Sequence, residues 1–314
     1  FRCLREVEID LIPGCNVIFG ANGSGKTSLL EAIHFLPTGK SFRAARAQSV
    51  IRHTSRQSTV FGVVSHDGMS SSIGMSRSRD GTRVLRVNGE EVHAQSVVAR
   101  LLPVQVLGPR TVELILAGPD TRRKFLNFGV FHVKPLFQES WVGAERCLRH
   151  RNRLLRTESR DIAEYRAWET QLARFSHQVD EMRCVHVAEV DAELQRLLSA
   201  TGFGQGISVS YQKGWDETEA DGELSAILEL ERQRDIEKGF TGSGHHRAEL
   251  KIRVEGYSAA DTLSRGELKL VSWLLTIAQT VVMRRHGNKA TAFLVDDVQA
   301  ELDSAHLSSV CHLL

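Results

Sequence analysis

Apolar residues alternate with acids at the start of the chain: Val7, Ile9 and Leu11 interleave with Glu6, Glu8 and Asp10. That is the period-two pattern of a strand with one wet face. Pro13-Gly14 turns the chain, Asn16-Val17-Ile18-Phe19 reads as a short buried strand, and residues 28–36 have helical spacing. Beyond a loop at 37–43, residues 59–65, 72–76 and 82–87 read as strands. Asn88-Gly89 predicts a hairpin turn into 90–93, because both residue types tolerate the positive φ that a two-residue turn demands. An apolar strand at 103–107 closes this α/β lobe, which has an antiparallel β portion.

From residue 111 to about 200 the period changes to that of helices. Trp168, Leu172, Phe175, Val179 and Met182 recur at alternating steps of four and three, a helix–helix seam. Leu148, Leu155 and Ile162 repeat every seven residues. The expectation is two long antiparallel helices, an arm standing off the α/β lobe. Gly202 to Gly206 breaks the run, 207–211 is a strand candidate, 223–237 a charged amphipathic helix and 239–244 a flexible return.

With 41% hydrophobic residues, 314 residues suffice for a sizeable core and two domains. No run approaches the roughly 18 consecutive apolar residues of a membrane helix, and Phe1-Arg2-Cys3-Leu4 lacks a signal-peptide layout, so a cytoplasmic location and no membrane partner are expected. The odd cysteine count, without any CxxC pair, argues for reduced thiols and leaves no zinc-type spacing. A formal charge of +2 means that any nucleic-acid surface must come from local clustering.

Such a cluster exists. Arg146, Arg149, Arg153, Arg156 and Arg160 are spaced three and four apart, with no acid between Arg146 and Arg156. On a helix they share one face, either a DNA-binding stripe or a solvated one with ion pairs elsewhere. Arg122-Arg123-Lys124 follows Gly118-Pro119-Asp120, a helix start, with Phe125 and Phe128 as anchors. Those cations could contact DNA or pair with acids.

The most specific chemistry lies in Gly20-Ala21-Asn22-Gly23-Ser24-Gly25-Lys26-Thr27, which fits the phosphate-loop pattern at every fixed position. Glycines let the backbone curl around phosphate oxygens, and amides at the new helix N-terminus add partial positive charge. Asn22, Gly23, Ser24, Gly25, Lys26, Thr27 and Ser28 are the candidate nucleotide-binding residues. Lys26 would reach the β and γ phosphates, and the Thr27 hydroxyl would ligate Mg²⁺. Far downstream, Ala292-Phe293-Leu294-Val295-Asp296-Asp297 is an apolar strand ending in two carboxylates, the Walker B layout. Asp296 would hold Mg²⁺ through water and Asp297 would position and polarise the attacking water, making Lys26 and Asp297 the candidate catalytic pair. Leu263-Ser264-Arg265-Gly266-Glu267 opens a helix with Leu268, Val271, Leu275, Ala278 and Val282 on one face. Ser264 with Glu267 is also a capping box, which accounts for two of these residues without a ligand.

The order phosphate loop, helical insertion, L-S-x-G-E, strand-Asp-Asp, then Ala300-Glu301-Leu302-Asp303 resembles the ABC/SMC ATPase heads, with the last four as the D-loop. Within them it is most similar to the RecF family of bacterial recombination mediators. Stretches carrying that likeness are Gly39-Lys40-Ser41-Phe42-Arg43, Gly118-Pro119-Asp120 with Arg122-Arg123-Lys124-Phe125-Leu126, Arg151-Asn152 with Leu154-Leu155, and Gly244-His245-His246-Arg247-Ala248-Glu249-Leu250. Three positions depart from the family pattern. Asn127 stands where Asp is usual, His245 where Pro is usual, and Leu107-Gly108-Pro109-Arg110 replaces an F-S-P-E-like run, leaving Gln105 as the nearest Q-loop candidate. Both ends read as trimmed against the family, with Phe1-Arg2 inside its first strand and Leu314 before its switch-histidine region.

The resemblance implies an α/β ABC-type ATPase head, a mixed sheet with a P-loop core, split over 1–107 and 241–314, with 108–240 as the inserted helical arm. It implies ATP and Mg²⁺ as cofactors and an ATP-dependent homodimer in which Ser264, Arg265 and Gly266 of one subunit face the γ-phosphate held by the other. It further implies weak DNA-stimulated ATP hydrolysis as a release switch. The implied partners are double-stranded DNA and gapped or single-stranded junctions, and RecR with RecO, in helping to load RecA during replication-gap repair. Two rivals share the nucleotide motifs. An ABC transporter ATPase subunit has a shorter insertion and a surface for membrane partners, and an SMC structural protein needs an arm of hundreds of residues. A third reading is a nucleotide-gated binding module that hardly hydrolyses ATP.

Overall fold

The computed structural model describes residues 1–66, 68–203, 206–218, 220–287 and 291–297, with Val310 and Leu313. The chain forms two compact units. The first comprises Phe1–Arg110 with the segment carrying Asp296 and Asp297, and the second Thr111–Gly287.

In the first unit, helix α1 (Lys26–Thr38) leaves the glycine-rich loop and ends at Gly39, whose φ of 63° is the left-handed conformation that glycine adopts cheaply. Strands β1 (Gln57–His66), β2 (Met69–Ser78), β3 (Arg83–Val87) and β4 (Glu90–Glu91) form an antiparallel sheet in that order. The expected Asn88-Gly89 turn is present, with φ of 52° and 86°. Helix α1 and helix α2 (Gln95–Leu101) pack on one sheet face, burying Phe35, Leu36, Ile73, Met75, Leu85 and Val98. Strand β5 (Val104–Leu107) then pairs in parallel with β9 (Ala292–Val295), and the Asp296 amide extends the ladder to the Leu107 carbonyl at 2.9 Å. A side chain at Gly108 would meet the Asp296 carbonyl at 3.3 Å, so glycine permits this close approach.

The two strands expected before the glycine-rich loop do not form. Val7, Ile9 and Leu11 are exposed, Val17 is 78% exposed and Phe19 90%. Alternation specifies which face of a strand would be wet, but a strand also needs a neighbour to complete its ladder. Among the described residues none pairs with these segments.

The second unit contains α3 (Glu113–Leu116), α4 (Pro119–Val133), α5 (Phe137–Arg156) and α6 (Ile162–Thr201). Ser140 donates to Gln178, Leu148 shares a cluster with Leu172, and Leu155 with Tyr165, so α5 and α6 run antiparallel. Ile162 is 45% exposed, because the chain turns between the helices and the seven-residue repeat does not continue across it. Strands β6 (Ile207–Gln212), β7 (Glu249–Val254) and β8 (Tyr257–Ser258) form a second antiparallel sheet. The segment expected as one helix over 223–237 is broken at Glu231 into α7 (Leu224–Leu230) and α8 (Arg232–Lys238). Helices α9 (Ala259–Thr262) and α10 (Arg265–Arg285) complete the unit. Helix α10 has the length and mean hydropathy of a membrane span, yet its apolar side chains are buried in this unit.

The boundary differs from the expected one. Residues 241–287 pack with the arm, since β7 completes the sheet of β6 and α10 packs on α6 and α4. Burying Arg151 holds the return segment to the arm. Its guanidinium, wholly inaccessible, donates to Glu169 at 3.0 Å, Asp235 at 2.7 Å, Thr241 at 2.9 Å and the Leu228 carbonyl at 2.9 Å. Each of its three nitrogens has a partner and two of the acceptors are carboxylates, the condition under which a buried charge is tolerated. Asn127 and His245, both departures from the family pattern, meet at one buried residue. Arg183 donates to the Asn127 side-chain oxygen at 2.7 and 3.1 Å and to the His245 carbonyl at 2.7 Å.

Burial lowers the pKa of His186 and of His246 to about 4. Each stays neutral in the folded chain while the unfolded chain takes up a proton below about 6.5. Their contribution is therefore intact above that pH and declines as pH falls, by about 2 kcal/mol each at pH 5, levelling off below about 4. Burial raises Asp180 and Asp235, which acts in the opposite direction. The histidine part is isolated by difference: the Tm gap between the wild-type chain and His186→Gln should shift in favour of the variant from pH 7.5 to pH 5. A constant gap across that range would show that His186 titrates normally.

Candidate nucleotide site

Gly23 and Gly25 have φ of 80° and 104°, a conformation that other residues adopt only with strain. A side chain at Gly25 would also lie 2.6 Å from the Leu4 side chain. The loop therefore curls as its glycines dictate and delivers α1 with its first amides free of side-chain caps. Lys26 Nζ donates to the carbonyls of Gly20 at 2.8 Å and Ala21 at 3.0 Å, so the ammonium lies over the loop.

From the other side comes the end of β9. Thr27 Oγ1 donates to Asp296 Oδ1 at 2.9 Å, joining residues 269 positions apart. These are two hard oxygen donors at one point, the donor set that Mg²⁺ prefers beside phosphates. Asp297 follows with a φ of 56°, an uncommon conformation for a residue with a side chain, of the kind that clusters at functional sites. A cleft of about 500 Å³ is lined by Asn22, Gly23, Gly25, Lys26, Thr27 and Ser28 from the loop and by Asp296 and Asp297. Cys3, Arg43 and Pro109 complete the lining. Ser24 is exposed outside it, and Gln105 lies within β5, also outside it.

Ser264, Arg265 and Gly266 lie in the second unit and are exposed. Ser264 caps α10, and the capping box with Glu267 forms in both directions. The residues Ala300-Glu301-Leu302-Asp303 lie outside the described residues.

On α5, Arg146, Arg149, Arg153 and Arg156 are all exposed. None forms an ion pair among the described residues, and the one hydrogen bond recorded for their guanidinium groups runs from Arg156 to the Gly239 carbonyl at 3.3 Å. Arg160 falls after the end of the helix and does not extend the stripe. Arg122 and Arg123 are otherwise employed. Arg122 forks onto Glu249 at 2.8 and 2.9 Å and Arg123 binds Asp120 and the Ala248 carbonyl, so the pairing alternative holds for both. The sequence reading missed Arg43 and Cys3 as lining residues. Arg43 ends a family-like stretch, and that was its signal.

A glycine-rich loop feeding a helix, with a hydroxyl and a strand-end carboxylate brought together beside it, defines a phosphate-loop nucleotide-binding head. All 314 residues match the family model described as the RecF/RecN/SMC N terminal domain. "DNA replication and repair protein RecF" of Pseudomonas fluorescens is 40% identical over 314 residues, spanning 100% of this chain and 85% of that protein. The protein of the same description from Pseudomonas putida is 39% identical over the same span. A solved structure of the recombination mediator RecF with ATP, from the RecFOR pathway, superposes with a TM-score of 0.88 at 23% identity, covering 100% of this chain and 87% of that one. The fold is thus an α/β head of the ABC ATPase type. The chain belongs to the RecF family of DNA replication and repair proteins.

Proposed function

We propose that the chain is an ATP-gated clamp on DNA. The observation that carries the reading is the meeting of Thr27 and Asp296 beside Lys26 and Asp297 in one cleft. In this reading the loop amides from Asn22 to Ser28 and Lys26 hold the phosphates, while Thr27 and Asp296 hold Mg²⁺. The metal, when bound, neutralises charge on the β and γ phosphates. Asp297 accepts a proton from the attacking water. Ser264, Arg265 and the Gly266 amide of a second copy donate to the γ-phosphate, aided by the N-terminal end of the partner's α10. ATP thereby joins two copies with two-fold symmetry, and slow, DNA-stimulated hydrolysis parts them. The cofactors are ATP and Mg²⁺, the cellular location is the cytoplasm, and RecR with RecO are the protein partners in loading RecA at gaps.

DNA lies along the exposed face of α5. Arginines without ion-pair partners keep no acid to exchange when a phosphate arrives, so each contact contributes its full counterion release. Changing Arg149, Arg153 and Arg156 together to Glu should weaken ATP-dependent retention of duplex DNA and lower the slope of log K against log salt by about 3, at about 0.9 per phosphate contact. Filter binding across a salt series checks this, and an unchanged slope would return the stripe to a solvated face.

A further inference from the structure

The first unit carries a charge imbalance that the nucleotide cleft leaves unused. From residue 32 to 89 the sequence holds nine lysines and arginines against two acids, Asp67 and Asp80, in a chain whose formal charge is only +2. Five of the arginines gather at one end of the first sheet. Arg52 and Arg56 lead into β1, Arg77 and Arg79 lie at the end of β2, and Arg83 opens β3. None of the five forms an ion pair among the described residues. Arg79 donates to the carbonyls of Ser55 at 2.8 Å, His53 at 2.8 Å and Arg52 at 3.1 Å, and Arg83 donates to Gln95 Oε1 and the His93 carbonyl, both at 3.0 Å. Those acceptors are neutral, so they fix the guanidinium groups without cancelling their charge.

At the centre of this group lies a pairing that is unfavourable by itself. Arg77 stands directly opposite Ser58 on β1 and Arg83 on β3. Like charges facing each other across a strand pair are destabilising. Ser58 is 3% exposed, and its Oγ and the Arg77 Nε are both buried without a hydrogen-bond partner. Two buried donors left open on adjacent strands, beside a second guanidinium, require an acceptor with several oxygens. A phosphate group supplies them, and its charge relieves the Arg77–Arg83 repulsion. The arginines around this point extend the positive field over the surface, which suits an anion that repeats along a backbone.

We propose that Ser58, Arg77 and Arg83 form a phosphate site for the backbone of duplex DNA, with Arg52, Arg56 and Arg79 extending it along the strand. The assignment to DNA rests on the clamp reading, whereas the anion chemistry of the site does not.

Two measurements test it. The first is melting against added inorganic phosphate, in a Lys26→Ala background so that the nucleotide cleft does not respond. With Arg77 present, phosphate at about ten times its Kd should raise the Tm by about 2 to 4 °C more than it does after Arg77→Met. Without phosphate, Arg77→Met should melt no lower than its parent, because it removes a buried donor that has no partner. A purely structural Arg77 predicts the reverse, a lower Tm at every phosphate concentration and an equal response to the anion, and that result would overturn the site. The second is filter binding of short duplex DNA with ATP across a salt series. Arg77→Met alone should lose about fivefold in affinity at about 0.15 M salt and lower the slope of log K against log salt by about 0.9, the share of one phosphate contact. A lost phosphate response with unchanged duplex affinity and slope would identify a site for free anions only and overturn the assignment to DNA. Failure of the wild-type chain to retain duplex at all would refute the clamp reading, while the melts still decide the anion site.

Discussion

Ser264→Arg should abolish the ATP-dependent dimer while leaving ATP affinity unchanged. Ser264 is exposed and belongs to the second unit, whereas the loop that holds phosphate belongs to the first. A two-fold assembly contains two composite sites, so one substitution strikes both, placing a long cation where a small hydroxyl must approach phosphate. The same residue caps α10 through its hydrogen bonds with Glu267, and losing a serine cap costs about 1 kcal/mol of stability. The two roles separate cleanly. Loss of the cap lowers the Tm modestly in either case, but a capping role alone leaves the dimer intact, whereas the trans role predicts monomer at every ATP concentration. Light scattering on the eluting species, run beside a nucleotide titration, distinguishes them.

Asp297→Asn should slow ATP cleavage by about 10²- to 10⁴-fold, the range expected when a positioned base is removed. Binding should persist, because Lys26, Thr27 and Asp296 remain, and the dimer should outlive the wild-type one. The substitution is nearly isosteric, so the left-handed backbone at this position, which Asn tolerates as well as Asp, is kept. Single-turnover cleavage with and without DNA measures the effect, and a wild-type rate would remove Asp297 from the chemistry.

What the sequence made legible follows from how local each signal is. The glycine-rich loop, the strand ending in Asp296 and Asp297, the Asn88-Gly89 turn and the Trp168 to Met182 seam depend on spacing within a few residues, and each element is present. The segment at 6–11 alternates and the one at 16–19 is a short apolar run, equally clear strand signals, but both lie exposed, because a ladder depends on a partner that neither pattern specifies. The lobe boundary was misplaced for a related reason. Nothing within 241–287 announces that β7 pairs with β6 or that α10 lies on α6, since these are contacts across long separations. Charge alone could not distinguish Arg151, wholly buried, from Arg149 and Arg153 beside it, which are exposed. The apolar pattern of α5 does, since Cys147, Leu148, Leu154 and Leu155 mark the buried side to which Arg151 belongs. Arg122 gave no such clue, as its partner Glu249 arrives more than a hundred residues later, whereas Arg123 has an acid partner three residues before it, Asp120.

The most direct measurement of the clamp is the mass of the wild-type chain in solution with short duplex DNA, compared without nucleotide and with ATP and Mg²⁺. The account predicts monomer in the first case and a DNA-bound dimer in the second, reverting as ATP is consumed. A single mass in both conditions, with ATP demonstrably bound, would contradict it.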